Sequence, residues 1–176
     1  METKIAILKN FFENPDREFQ IRELSRIVGI NHTTVRQYLN KLVKEGVLKK
    51  TESRNFAFYG IFPSRKYLNL KLYYNLEKLW NSGLIEEISS KFELPTIVLF
   101  GSFAQADDRR DSDIDLCIIS NIKIELDLKK YEKKLNRNIS LHIFNKKEWD
   151  NAKKKNPNLV NSICNGIVLS GELEVV

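Results

Sequence analysis

The 176 residues suffice for one medium-sized domain or two small ones, and a hydrophobic fraction of 42% is ordinary for a globular protein. No apolar run approaches the roughly 20 residues that cross a bilayer. The N-terminus shows no secretion signal, so we expect a cytoplasmic protein without a membrane contact. Cys117 and Cys164 lie among apolar neighbours, which favours two buried thiols over a metal or redox site.

The positive charge of the chain is concentrated near its N-terminus. The formal net charge is +6, and residues 20–66 alone contain ten basic and three acidic residues. This segment therefore carries more excess charge than the whole chain. Such segregation predicts that the N-terminal part contacts a polyanion.

The first third of the chain predicts three helices and a hairpin. Apolar residues at helical spacing predict helices over Thr3–Glu13, over Gln20–Val28 and, after the N-cap residue Asn31, to about Lys44. Gly29 and Gly46 end the second and third helices. Two short strand-like runs follow, Val47–Lys50 and Asn55–Tyr59, around a polar turn at residues 52–54.

This order of elements predicts a winged helix-turn-helix, whose third helix lies in the major groove while the wing contacts phosphates. The residues predicted to contact DNA are His32, Thr33, Thr34, Arg36, Gln37, Asn40, Lys41, Lys49, Lys50 and Arg54. The stretch Ile21–Lys50 resembles winged-helix transcription factors of the bacterial and archaeal type, over about residues 3–62. The resemblance implies double-stranded DNA as a partner, and a module used only for protein contacts remains the alternative.

The remainder of the chain predicts linking helices and a second, mixed domain. Helical spacing from Lys66 to about Phe92 predicts one long helix and, after Gly83, a shorter one. Further on we predict strands over Thr96–Phe100, Asp113–Ile119 and Ile139–Phe144, helices over Leu126–Leu135 and from about Lys146 and Pro157, and a last apolar run at residues 167–169. The fold class is therefore α+β, with a winged helix over 1–64, linking helices over 65–90 and a small mixed-sheet α/β domain over 91–176.

A pair of short motifs in the second domain indicates phosphate chemistry. A strand ends at Phe100, and Gly101 lets the backbone approach a phosphate closely while Ser102 adds a hydroxyl. Asp113 and Asp115 are two residues apart on the next strand, so both side chains point to the same face. Two carboxylates together suit Mg²⁺ or Mn²⁺, which also bind triphosphate oxygens.

These motifs at this spacing resemble the polymerase-β-like nucleotidyltransferase superfamily, over about residues 85–172. The similarity is greatest to the minimal nucleotidyltransferases of archaea and bacteria, which often occur in toxin–antitoxin pairs. The resemblance implies that Gly101 and Ser102 hold the phosphates of a nucleoside triphosphate and that Asp113 and Asp115 are the catalytic metal ligands. Arg109 and Arg110, in the intervening loop, are candidates for triphosphate contacts or simply solvent-exposed charges.

The sequence departs from the family where a third carboxylate is usual on the next strand. Alternation along that strand predicts Ser140 at this position, with His142 on the same face; Glu148 and Asp150 follow on a helix as alternative acids. An active transferase therefore remains open, and so does a catalytically weakened transcriptional regulator or antitoxin-like protein that binds a toxin-like partner protein. A pseudo-palindromic DNA site would imply a homodimer, and Tyr67–Trp80 is either its interface or a buried inter-domain helix.

Overall fold

The structure is a computed structural model that describes residues 3–53 and 55–174. The chain divides into two compact units, Met1–Tyr74 and Asn75–Val176. The border falls inside a long helix, within the segment 65–90 that the sequence predicts as linking helices. None of the helices in the described part of the chain is long and apolar enough to cross a membrane.

The first unit contains three helices, a β-hairpin and the first ten residues of a fourth helix. In chain order the elements are α1 (Thr3–Glu13), α2 (Ile21–Val28), α3 (His32–Lys44), β1 (Leu48–Ser53), β2 (Phe56–Ile61) and α4 (Arg65–Trp80). The predicted caps explain the sharp ends of α2 and α3. Gly29 ends α2 at φ +69°, and the Asn31 side chain accepts a hydrogen bond from the Thr34 amide at 2.9 Å.

The core of the first unit includes the beginning of α4. The ring of Phe12 on α1 packs against Tyr67 and Tyr74 of α4, with centroid distances of 5.6 and 5.4 Å. The Tyr74 hydroxyl donates to Glu13 at 2.6 Å. This part of α4 therefore belongs to the hydrophobic core, while Tyr73 on the same helix is 51% exposed.

The wing is longer than the sequence predicts. Strands β1 and β2 pair from Leu48–Ile61 to Ser53–Phe56, so the connection contains only residues 54 and 55. Asn55 has φ +64°, a left-handed conformation that short hairpin turns require and that asparagine tolerates. The first predicted run ends before Glu52 and Ser53, which belong to the ladder. The second predicted run ends before Gly60 and Ile61, which also belong to it. Arg54 lies outside the described residues.

The second unit is a four-stranded mixed sheet with helices on both faces. Its elements are the end of α4, α5 (Leu84–Lys91), β3 (Thr96–Phe100), α6 (Gly101–Gln105), β4 (Ile114–Ile119), α7 (Lys129–Leu135), β5 (Ile139–Phe144), α8 (Lys146–Lys155), α9 (Pro157–Cys164) and β6 (Ile167–Ser170). The strand order is β5-β4-β3-β6, with β4 and β5 parallel and the other pairs antiparallel. The predicted α+β class is confirmed.

The alternation of side chains along β4 separates the two faces of this sheet. Ile114, Leu116 and Ile118 are fully buried in a core that includes residues of α5, α6 and α7. Cys117 points to the opposite face and packs with Trp149 of α8 and Ile163 of α9. Residue 115 shares that second face, which places its carboxylate beyond the end of a hydrophobic cluster.

Three details of the second unit differ from the prediction. Strand β4 begins at Ile114 and not at Asp113, so Asp113 lies just before the strand and alternation does not set the direction of its side chain. Helix α7 begins at Lys129 instead of Leu126, and the Asp127 carboxylate accepts the Lys129 amide at 3.1 Å in a turn just before the helix. Both cysteines are free, but only Cys117 is buried, whereas Cys164 is partly exposed. Burial, and to a lesser degree the nearby Cys164, raises the pKa of the Cys117 thiol to about 12, so this thiol is unreactive at neutral pH.

Candidate functional site

Gly101 and Asp115 are in close contact at the ends of two neighbouring strands. Phe100 at the end of β3 pairs with Asp115 on β4. Gly101 follows with φ +71°, and a Cβ atom built on it would lie 2.3 Å from Asp115 Oδ2. Only glycine satisfies both the left-handed backbone and the missing space. The predicted glycine bend and the second predicted aspartate thus lie side by side.

The electrostatics of Asp115 fit a cation site. Burial raises the pKa of this carboxyl above its ordinary value, and the neighbouring charge of Asp113 raises it further. The charge of His142 and a hydrogen bond from the Ser140 hydroxyl act in the opposite direction. Asp113, just before β4, is exposed. Two adjacent carboxylates, one of them partly buried, repel each other, and a divalent cation between them would relieve that repulsion.

Strand β5 places Ser140 and His142 beside the aspartates. Because β4 and β5 are parallel and in register, Ser140 lies opposite Asp115 and His142 opposite Cys117. The Ser140 Oγ and His142 Nε2 atoms are 3.4 Å apart, and the His142 ring meets Phe100 edge-on at 5.4 Å. The Ser140 hydroxyl therefore occupies the position where the resemblance implies a third acid, and the His142 imidazole lies next to it.

The two alternative acids make contacts of their own. Glu148 caps α8 by accepting the Asn145 amide at 2.9 Å, and it also pairs with Lys123 at 2.7 Å. Asp150 pairs with Lys153 at 3.1 Å. Within residues 3–53 and 55–174, no group of three or more His, Cys, Asp or Glu side chains is arranged to hold a metal ion. A cation at this site would depend on two carboxylates together with oxygens of its ligand.

The loop between the two motifs presents its arginines to solvent. Arg109 and Arg110 are both exposed. The Arg109 amide donates to the Ser112 hydroxyl at 2.9 Å, and the Ser112 amide returns a bond to the Arg109 carbonyl at 3.1 Å. Arg110 lines a polar cavity of about 380 Å³ together with Ser112, Asn136 and Asn138. Both guanidinium groups are therefore accessible to an anionic ligand.

A buried polar network, which we call the Asp108 network, ties this loop to the rest of the unit. It contains Asn75, Asp108 and Arg137. Asn75 Nδ2 donates to Asp108 Oδ1 at 2.8 Å, and Arg137 Nη2 pairs with Asp108 Oδ2 at 3.0 Å. The Asp108 and Arg137 side chains are only 1% and 6% exposed. The sequence gives no local signal for this network, because Asp108 is separated by 29 and 33 residues from its two partners.

In the first unit, the exposed side of α3 carries most of the predicted DNA-contacting residues. Val35, Leu39 and Leu42 of α3 are buried. Of the residues predicted to contact DNA on this helix, Thr34 is partly buried and the others are exposed. The exposed ones are His32, Thr33, Arg36, Gln37, Asn40 and Lys41. Asn40 also accepts a hydrogen bond from the Tyr59 hydroxyl at 3.1 Å, which connects α3 to the wing.

The predicted lysines of the wing are exposed but paired. Lys50 Nζ is 2.7 Å from Glu52 Oε1, and Lys49 Nζ is 3.5 Å from Glu18 Oε1. The hydrogen bond with Glu52 raises the pKa of Lys50. Exposed ion pairs of this kind are weak, so either lysine can exchange its carboxylate for a phosphate at little cost.

Together these features define a protein with a winged helix-turn-helix and a nucleotidyltransferase-type fold. Comparison with family models gives the same division. Residues 2–49 match the model of a winged helix-turn-helix DNA-binding domain, and residues 82–163 match the model of a nucleotidyltransferase domain.

Comparison with solved structures gives only distant likenesses. Sso10a-2, a DNA-binding protein from Sulfolobus solfataricus, is 21% identical, with a TM-score of 0.36 and 51% of this chain and 95% of that chain covered. A possible transcriptional regulator from Methanosarcina mazei Go1 is 19% identical, with a TM-score of 0.36 and 51% and 78% covered. TM-scores this low carry no information on function. Among curated proteins there is no match.

Proposed function

We propose that this protein binds duplex DNA through its first unit and a Mg²⁺- or Mn²⁺-bound nucleoside triphosphate through its second unit. The second unit would transfer a nucleoside monophosphate to a hydroxyl acceptor and release pyrophosphate. The observation that carries this proposal is the contact between Gly101 and Asp115, next to Asp113. A backbone without a side chain beside paired carboxylates is the arrangement that a metal-bound phosphate requires.

The residues of the second unit would divide the work as follows. Asp113 and Asp115 hold the cation, which neutralises charge that develops on the phosphates during transfer. The Gly101 backbone allows a phosphate to approach, and the Ser102 hydroxyl donates a hydrogen bond to it. Arg109 and Arg110, both exposed, contact the triphosphate from the loop.

One observation favours a second candidate function, that of a regulator which binds nucleotide without rapid turnover. Ser140 lies opposite Asp115 and donates a hydrogen bond to it. A hydroxyl is a poorer ligand for Mg²⁺ than a carboxylate, and it does not accept the proton of an attacking hydroxyl at neutral pH. In this alternative this protein is antitoxin-like, and the bound nucleotide or a toxin-like partner protein, and not a chemical product, carries the function.

The nucleotide site is tested by calorimetry with Mg²⁺ and each nucleoside triphosphate. We expect Asp113→Ala with Asp115→Ala to weaken binding by about tenfold to a hundredfold or more, because the cation loses its protein ligands. The matched control is Asp107→Ala with Asp111→Ala, which removes the same charge from exposed positions of the same loop. Equal binding by the wild type and the Asp113/Asp115 variant would exclude this site.

Transfer is tested separately with labelled nucleotide. The wild-type protein is incubated with labelled nucleotide, with Mg²⁺ or Mn²⁺, and with a co-expressed protein from a neighbouring gene as the acceptor. The Asp113/Asp115 variant serves as the blank. Label on the acceptor identifies a transferase. Binding without transfer to protein, nucleic acid or small hydroxyl compounds supports the regulator instead.

The DNA site is tested by gel retardation across a range of salt concentrations. We expect Arg36→Ala with Lys41→Ala to weaken binding by about tenfold or more and to reduce the salt slope by about two, one for each lost phosphate contact. The control pair Lys9→Ala with Arg65→Ala removes two exposed charges outside the proposed face. Unchanged retardation by the Arg36/Lys41 variant would remove α3 from the proposal. The mass of the protein–DNA complex decides whether a homodimer binds.

A further inference from the structure

The loop that leads into Asp113 has no regular structure of its own. Residues 107–113 belong to neither a helix nor a strand. Local hydrogen bonds between Arg109 and Ser112 form a turn, but they do not attach that turn to the sheet. The Ile114 amide, which donates to the Asn138 carbonyl at 2.9 Å, fixes the start of β4, so the position of the loop before Asp113 depends on contacts from outside the loop.

The Arg137 side chain supplies that attachment. Its guanidinium group pairs through Nη2 with Asp108 Oδ2 at 3.0 Å and donates through Nη1 to the Ser112 carbonyl at 3.1 Å. One planar fork thus holds the loop at two points, and the second point is the residue immediately before Asp113. Arg137 itself lies two residues before Ile139, the first residue of β5, and its amide donates to the Glu132 carbonyl at 3.2 Å.

The same network also reaches the other motif. Asn75 Nδ2 donates both to Asp108 Oδ1 at 2.8 Å and to the Phe103 carbonyl at 3.0 Å. Phe103 belongs to α6, the short helix that begins with Gly101 and Ser102. The Asp108 network therefore touches the Gly101–Ser102 segment at one end and the Asp113 segment at the other.

Stability alone does not account for a buried ion pair at this place. Removing two charges from water is costly, and apolar side chains of similar size often stabilise a fold as well or better. What a fully hydrogen-bonded pair provides is one defined loop conformation. Lysine does not reproduce it, because a single ammonium lacks the planar fork that reaches both acceptors.

We propose that Arg137, acting through Asp108 and the Ser112 carbonyl, is a positioning residue that places the Asp113 carboxylate for cation binding beside Asp115. This inference rests on the proposed function, since it concerns the same cation and nucleotide site. It assigns to Arg137 no contact with the nucleotide. Replacing Arg137 by lysine should therefore reduce the nucleotide affinity that is gained from Mg²⁺ and leave the metal-free affinity unchanged.

The first experiment measures hydrogen exchange of the ligand-free protein. In Arg137→Lys we expect the amides of residues 107–113 to exchange about tenfold faster, because one attachment of the loop is lost, while the amides of β3 are unchanged. The control is Lys134→Met, which removes a nearby cation, on α7, that also donates to backbone carbonyls, those of Asn81 and Ser82 at 2.7 and 2.8 Å. Unchanged loop exchange in Arg137→Lys overturns the proposal.

The second experiment compares nucleotide affinity with Mg²⁺ and with EDTA. We expect Arg137→Lys to lose about tenfold to a hundredfold of the affinity gained from Mg²⁺ and to keep the metal-free affinity. An equal loss under both conditions, or no loss under either, overturns the positioning role. If the wild-type protein binds no nucleotide, the proposed function fails, and hydrogen exchange alone then decides the role of Arg137. If Arg137→Lys does not unfold cooperatively, Asp108→Asn takes its place in both measurements.

Discussion

At Asp115, burial opposes the ionised form that a cation site needs. Partial burial raises the pKa of this carboxyl, and the charge of Asp113 raises it further. An acid whose pKa is raised on folding adds stability that is complete below its unfolded pKa and is lost as the pH rises through the folded value. At neutral pH the ionised Asp115 therefore costs stability in the absence of a cation.

We expect Asp115→Asn to raise the melting temperature of the metal-free protein at pH 7 by on the order of a few degrees. The amide keeps the shape of the side chain and the acceptor for Ser140 but removes the charge. Thermal unfolding in EDTA measures this, with Asp113→Asn, at an exposed position, as the matched control. A melting temperature equal to or below that of the wild type would show that the ionised Asp115 does not lower the stability of the metal-free protein.

At the scale of single elements, α7 is attached to α5 by a charged cluster. Glu87 on α5 accepts hydrogen bonds from Lys130 and from the Tyr131 hydroxyl on α7, and it also pairs with Lys91 at 3.0 Å. These hydrogen bonds lower the pKa of Glu87 to about 2, and the bond from Lys130 has the largest effect. An acid with a lowered pKa stabilises the fold above its unfolded value, and this contribution disappears as the pH falls toward the folded value.

We therefore expect the melting temperature of the wild type to fall more steeply than that of Glu87→Gln between about pH 4.5 and pH 2. At pH 7 the variant should melt at a lower temperature, since it lacks the ionised acceptor. The control is Glu86→Gln, an exposed neighbour on the same helix turn. Parallel melting curves of the wild type and Glu87→Gln across this pH range would show that the cluster contributes nothing.

Elements with strong local signals were predictable from the sequence, and contacts between distant residues were not. The bounds of α3 follow from the Asn31 cap and the apolar spacing, and the structure reproduces them. The face shared by Asp115 and Ser140 follows from strand alternation and register. The predicted start of α7 is too early, because apolar residues such as Leu126 continue the helical spacing before the first residue of the helix. The Asp108 network could not be predicted, because buried pairing over such separations depends on the tertiary fold.

At the scale of the whole molecule, the two units differ in charge. The unit Met1–Tyr74 contains fourteen basic and seven acidic residues, whereas Asn75–Val176 contains fifteen and sixteen. The entire positive excess of the chain therefore lies in the unit with the winged helix. Because nonspecific DNA affinity follows the number of cations that meet phosphates, this unit should determine the salt dependence.

We accordingly expect Lys154→Ala with Lys155→Ala, which removes two exposed charges of α8, to leave the DNA affinity and its salt slope unchanged. The same number of charges removed at Arg36 and Lys41 should change both. Filter binding at several salt concentrations measures the slopes. A fall in slope by about two for the Lys154/Lys155 variant would place DNA on the second unit as well.

The contact between residue 101 and Asp115 has a consequence for how this site can be lost. Any side chain at position 101 meets the carboxylate and must also adopt a left-handed backbone. The proposed site is therefore sensitive to any substitution at this position, which directly follows the buried Phe100 and begins the helix that carries the buried Phe103. Under the proposed function, Gly101→Val would lose nucleotide binding, while the core of the winged helix, in the first unit, is not touched by the change.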